Sequence, residues 1–154
     1  MRNEIPAGFV IAGAAGGAVA IALMHVLSEH ASFPLMMVPF AIVLVMGTPD
    51  AAPAQPRALV GGHLISTVIG LLVVSITGPS PWAEAFAVGL AMAAMHVTRT
   101  FHPPAGIDPL IVVAQGMSWS FLIAPVAIGA LLLGTFAWLW HNFVRRESWP
   151  ATWW

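Results

Sequence analysis

One stretch limits what this chain can become: Arg99-Thr100-Phe101-His102-Pro103-Pro104-Ala105-Gly106-Ile107-Asp108-Pro109, set between strongly apolar runs. A bilayer accepts irregular polar backbone only where protein buries it or where it lines a water-filled cavity. The three prolines remove three N–H donors that would otherwise need partners there. A short apolar run, 110–114, follows. The pattern predicts an extended lead-in feeding a half-helix, the arrangement that secondary transporters use for binding sites at the midplane.

The apolar setting makes that argument apply. The chain has 154 residues, 59% of them hydrophobic and only 7% charged, with a formal net charge of −1 and a mean hydropathy of +0.89. Soluble domains carry about 25% charged residues, so the composition reads as an integral membrane protein. The absence of cysteine excludes disulfides, thiol chemistry and thiolate metal sites. The basic residues are arginines dispersed along the chain, which leaves no basic face for nucleic acid. The first apolar run extends over 6–27, long enough to span, and is expected as a helix rather than a cleavable signal.

Six apolar segments can be marked: 6–27, 35–46, 58–77, 82–98, 105–115 and 119–143. The second and fifth are too short to cross alone as helices, which need about 20 residues. The order is long, short, long, then long, short, long. The turn Gly78-Pro79-Ser80-Pro81 joins the halves. The expected architecture is all-α, a single transmembrane domain over 1–154, with four full helices and two short proline-started half-helices. Val38-Pro39-Phe40-Ala41 and Asp108-Pro109-Leu110-Ile111 align on their prolines, which predicts a 3+3 inverted repeat with halves 6–77 and 82–143. With six crossings and a cytoplasmic N-terminus, Arg2, Arg57, Arg99, Arg145 and Arg146 all fall inside. Glu29 and Glu84 fall outside. If the short segments were re-entrant, Arg57 and Arg99 would move outside.

Asp is a strong N-cap and proline favours the first helical position, so Asp108-Pro109 reads as a helix start, with Pro39 its counterpart. Two half-helix N-termini meeting at the midplane would present N–H groups and dipole ends to one cavity. Such a cavity suits a small anion or a polar neutral molecule. Two kinked, tilted helices are the plainer alternative.

The run Arg99 to Gly106 resembles the signature of the HPP family of small membrane proteins, named for its His-Pro-Pro motif. Gly47-Thr48-Pro49-Asp50, Pro53-Ala54-Gln55-Pro56-Arg57 and Gly61-Gly62-His63 resemble the family's other motif region, so the likeness covers about 35–143. It implies a transporter, and plant chloroplast members are linked to nitrite. The family's short segments usually start Gly-Ala-Ser/Thr-Ala, whereas this chain has Val38-Pro39-Phe40-Ala41 and Ile107-Asp108-Pro109-Leu110. An ionised Asp108 would put its own charge where an anion should bind, unless it is protonated or paired with His102, Arg99 or Arg57. Asp108 is otherwise a proton carrier, as membrane relays use carboxylates, or a purely structural N-cap.

The candidate solute-binding set is His102, Asp108, Pro103, Pro104, Gly106, Pro109, Pro39, Arg99, Arg57, Gln55 and His63. Arg99 and Arg57 would draw anions to the cytoplasmic mouth, although snorkelling is the commoner role of such arginines. Gln55, Asp50 and His63 are expected to meet the His102 break across the repeat interface, or to pack the loops. His25, His30, His96 and His102 match no compact ligand spacing, so neither a metal nor another cofactor is expected. No nucleophile elbow or metalloprotease motif appears, and the chain is read as a non-enzyme. Gly13 and Gly17 form a GxxxG, either an internal helix contact or an oligomer seam, and Gly62, Ser66 and Gly70 repeat the small-residue stripe on the third segment. Trp138, Trp140, Trp149, Trp153 and Trp154 with Arg145 and Arg146 read as an interfacial anchor.

The sequence therefore points to passage of a small polar solute, with a nitrite-like anion first. The rivals are a proton-coupled carrier of a cation or neutral solute using Asp108, and a scaffold or sensor subunit that transports nothing. The expected partners are the solute, the lipid bilayer and further copies of the chain in a homo-oligomer. The expected location is a bacterial inner membrane, both termini cytoplasmic.

Overall fold

The computed structural model describes residues 6–31 and 39–153, and the regular elements among them are all helical. They are α1 (Ala7–His30), α2 (Pro39–Gly47), α3 (Pro56–Thr77), α4 (Pro81–Val97), α5 (Ile107–Gln115) and α6 (Leu122–Arg145). Single 3-10 turns, Ala52–Ala54 and Pro103–Gly106, lead into α3 and α5. Arg2, residues 35–38 and Trp154 lie outside the described residues, as does the side chain of Pro39, although its backbone opens α2.

Local chemistry sets the helix ends. Pro56 and Pro81 occupy first turns, where their missing N–H costs nothing. Ser80 accepts the Ala83 N–H at 3.2 Å and caps α4. α3 stops at Gly78 and α5 at Gly116, with φ of 71° and 60°, backbone that glycine adopts without a Cβ penalty. α6 is broken near its start, where Ala124 leaves helical geometry just before Pro125.

Among the described residues three helices, α1, α3 and α6, are long and apolar enough to cross a membrane. α4 has 17 residues, about 25 Å at 1.5 Å per residue. It ends where Thr98 turns its hydroxyl back to the Ala94 carbonyl at 2.8 Å and Arg99 takes a positive φ. Of the four full-length helices expected, α4 is the shortest, at the lower limit of spanning length.

The small residues decide how these helices pack. A Cβ on Gly13 would lie 3.0 Å from the Met46 carbonyl oxygen, and one on Gly17 3.7 Å from Ile42. The GxxxG face of α1 is therefore taken by α2, which runs antiparallel to it. Gly16 leaves room for the Trp140 indole, which donates to the Ala12 carbonyl at 3.2 Å. α3 carries a matching groove, Gly62-Ser66-Gly70, in which the proline-rich break and the first turn of α5 lie. Farther along, Val113 of α5 joins Val73, Ala83 and Ala87 in one apolar cluster, so α5 runs parallel to α3.

Candidate functional site

The groove on α3 brings together side chains far apart in the chain. A Cβ at Gly62 would meet the His102 Cβ at 2.6 Å and the Thr100 carbonyl oxygen at 2.8 Å, and one at Gly70 would meet Pro109 Cα at 2.7 Å. Ser66 donates to the Ala105 carbonyl at 2.5 Å. The break is thus pinned at three levels along α3. Ser66 and Thr67 are the eleventh and twelfth of its 22 residues, so the first turn of α5 starts beside the middle of a membrane-length helix.

At that depth lies a buried polar cluster. His63 and Asp108 are paired, Nδ1 to Oδ2, at 2.7 Å, and the Thr67 hydroxyl donates to the same carboxylate oxygen at 3.3 Å. The His102 ring stands 5.1 Å from the His63 ring, centroid to centroid, and its Nδ1 donates to the Pro53 carbonyl at 2.6 Å. His63 is 1% exposed, and His102 and Asp108 are 0% exposed. Three buried atoms of this cluster have no hydrogen-bond partner: Nε2 of His63, Nε2 of His102 and Oδ1 of Asp108.

Donor and acceptor chemistry says what those atoms are. A carbonyl oxygen only accepts, so His102 carries its proton on Nδ1 and, when neutral, leaves a lone pair on Nε2. Opposite an ionised Asp108, His63 likewise donates from Nδ1 and leaves its Nε2 lone pair. All three unpartnered atoms are then acceptors, in a place where an unmet polar group costs free energy. With Asp108 ionised and both imidazoles neutral, the cluster holds one negative charge and lacks a donor for three lone-pair sites.

Three details differ from the sequence expectation. Asp108 is not the N-cap of α5: the helix starts at Ile107 after Gly106, and Asp108 sits within the first turn. Its carboxylate turns to His63 and Thr67 because α3 presents both at hydrogen-bond distance. Nor does His102 pair with Asp108, since Pro53 takes its Nδ1. The lead-in is extended at His102, where φ is −131°, but Pro103–Gly106 then forms a turn.

The other candidates lie around the cluster rather than in it. Pro103 and Arg99 are exposed, and Pro104 and Gly106 are half-buried in the turn. Arg57 donates to the Thr98 carbonyl at 2.9 Å, tying the start of α3 to the end of α4. The Gln55 amide donates to the Pro49 and Ala51 carbonyls and accepts from the Ala151 and Thr152 N–H groups. Asp50 is exposed in the same loop. Sequence reasoning passed over Thr67, used Ser66 only as a small residue, and did not foresee the Pro53 carbonyl. The signal for the first two was a pair of hydroxyls in the centre of an apolar helix.

Comparison with known proteins gives a family match. The family described as HPP, transmembrane region, matches residues 3–150. Two transmembrane proteins of Dictyostelium discoideum are 34% and 33% identical over 149 residues. Each alignment covers 90% of this chain, and 48% and 52% of the respective relative. The chain therefore spans about half the length of the curated relatives it matches. No solved structure gives a significant match.

Proposed function

The chain belongs to the HPP transmembrane family, and from that premise we propose that it is a transporter of a small polar solute whose passage is coupled to protons on His63, His102 and Asp108. The observation that carries this reading is the acceptor-only cluster beside the middle of α3. Ionisable groups inside a membrane bundle are expensive and serve ion pathways and proton relays. Imidazole is also the side chain whose charge changes near neutral pH.

Proton coupling reconciles Asp108 with an anion. With both imidazoles neutral, the cluster holds one negative charge and repels a nitrite-like ion. With both protonated, it holds one net positive charge, and each Nε2 becomes a donor. A small anion is then taken up together with protons and released when they leave. In this reading α2 and α5 act as half-helices of a 3+3 inverted repeat, both starting near the midplane. α2 descends α1 from the level of Gly17 to that of Gly13 while α5 climbs α3. The protein is no enzyme and needs no cofactor. It works as a homo-oligomer in a bacterial inner membrane with both termini cytoplasmic.

The test is flux into proteoliposomes of purified protein, with nitrite against nitrate, chloride and formate, at pH 6 and pH 8. Selective nitrite flux, faster at pH 6 and lost in His102→Ala, is the expected result. Flux of a cation or neutral solute that collapses with Asp108→Asn would keep the proton site and replace the anion. Absence of flux for every solute, with His102→Ala tolerated, would overturn transport in favour of a scaffold.

A further inference from the structure

The segment after α6 folds back onto the loop before α3. Arg146 takes a positive φ of 57°, and the Glu147 N–H returns to the His141 carbonyl at 2.9 Å. Trp149 then buries its ring to 4% exposure near His141. Its backbone is gripped by one side chain: Asn142 donates to the Trp149 carbonyl at 2.6 Å and accepts from its N–H at 3.4 Å. Beyond it, the N–H groups of Ala151 and Thr152 both donate to Gln55 Oε1, at 2.9 and 3.2 Å.

Gln55 faces two ways. Its Nε2 donates to the Pro49 carbonyl at 2.7 Å and the Ala51 carbonyl at 3.2 Å, which holds the loop before α3 in shape. Two residues ahead of it, Pro53 supplies the carbonyl that takes His102 Nδ1 at 2.6 Å. One buried amide thus joins the strap 149–152 to the loop that fixes the orientation of His102. His102 itself is 0% exposed, and Thr100 beside it 7%.

We infer that the strap 149–152, latched on Gln55 and Asn142, is a gate that acts on the loop holding His102, with Gln55 as the positioning residue that transmits its state to His102 through the Pro53 carbonyl. The latch is made of neutral hydrogen bonds to strap backbone, so it can open without unfolding α6, while Trp149 supplies the apolar seat that closes it again. Releasing the strap frees Gln55 Oε1, loosens the loop and exposes His102 to the aqueous side. The inference rests on the transport reading for its purpose but not for its geometry.

The chain has no cysteine, which permits a clean test. Thr100→Cys places a single small thiol beside His102. Its modification by a charged, membrane-impermeant thiol reagent is timed in the otherwise intact protein and with Gln55→Leu or Asn142→Leu added. Each added substitution is expected to speed modification by about tenfold or more, as a local opening equilibrium is shifted. Rates within about twofold of the parent in both variants, with cooperative melting retained, would overturn the gate. Gln55→Glu controls for misfolding. Its carboxylate still accepts from Ala151 and Thr152 and keeps the strap latched while it opposes the two loop carbonyls, so modification should fall between the parent and Gln55→Leu. A rate equal to that of Gln55→Leu, with the same melting, would count against the strap as the gate. Faster modification in a protein that moves no solute would leave the gate standing and remove the transport reading. Normal proton-coupled flux with unchanged modification would do the reverse.

Discussion

Asp108 has two partners on one carboxylate oxygen and none on the other. In a buried pair the loss of one member leaves the other uncompensated, at a cost of about 3–5 kcal/mol. Asp108→Leu should therefore destabilise the protein by that order, read as thermal unfolding in detergent. Asp108→Asn keeps an acceptor for His63 and should melt close to the parent while losing proton-coupled flux. The two substitutions separate stability from charge. A cycle of Asp108→Asn with His63→Gln should give a coupling of about 1–3 kcal/mol, the range for groups in direct contact. A coupling near zero would mean that the pair is not formed in the bilayer.

At the scale of elements, the groove on α3 is the determining feature, and its glycines differ sharply in what surrounds them. Gly62→Ala would drive a methyl to 2.6 Å from His102 Cβ, and Gly70→Ala to 2.7 Å from Pro109 backbone. Each should cost about 1–3 kcal/mol as overpacking. Gly89 of α4 has nothing within 4 Å, so Gly89→Ala should be neutral or stabilise by about 0.5–1 kcal/mol through helix propensity. Thermal melts of the three variants check the ranking. The six apolar runs made the helices legible because length and hydropathy act locally. The stripe Gly62-Ser66-Gly70 was legible as a close-packing face for the same reason. Its partner was not, because nothing local in α3 says that the stripe receives the Pro103–Gly106 turn. The His63–Asp108 pair was hidden similarly: 45 residues separate its members, and only the seating of α5 in the groove brings them together. His102 and Asp108 were visible as ionisable groups in an apolar setting, yet their neighbours depend on packing.

For the whole molecule the open quantity is how many times the chain crosses. Arg57 is bonded to the Thr98 carbonyl at one end of α3 and α4, and Arg145 to the Met46 carbonyl at the end of α2. The turn at Gly78 and Ser80 lies at the opposite end of α3 and α4. If α2 and α5 complete crossings with their lead-in segments, Arg57, Arg99 and Arg146 share the cytoplasmic side, as the positive-inside rule asks. Single cysteines at Arg99, Arg146, Ser80 and Ser118 in this cysteine-free chain test the arrangement in oriented membranes. Positions 99 and 146 should react only from the cytoplasmic side, and positions 80 and 118 only from the other. The pair 99 and 118 is the sharpest part, since only the turn and α5 lie between them. Reaction of both from one side would make the segment re-entrant and end the inverted repeat. Reaction from opposite sides would place His102 and Asp108 on a stretch that passes through the bilayer, where a proton site can be offered to each side in turn.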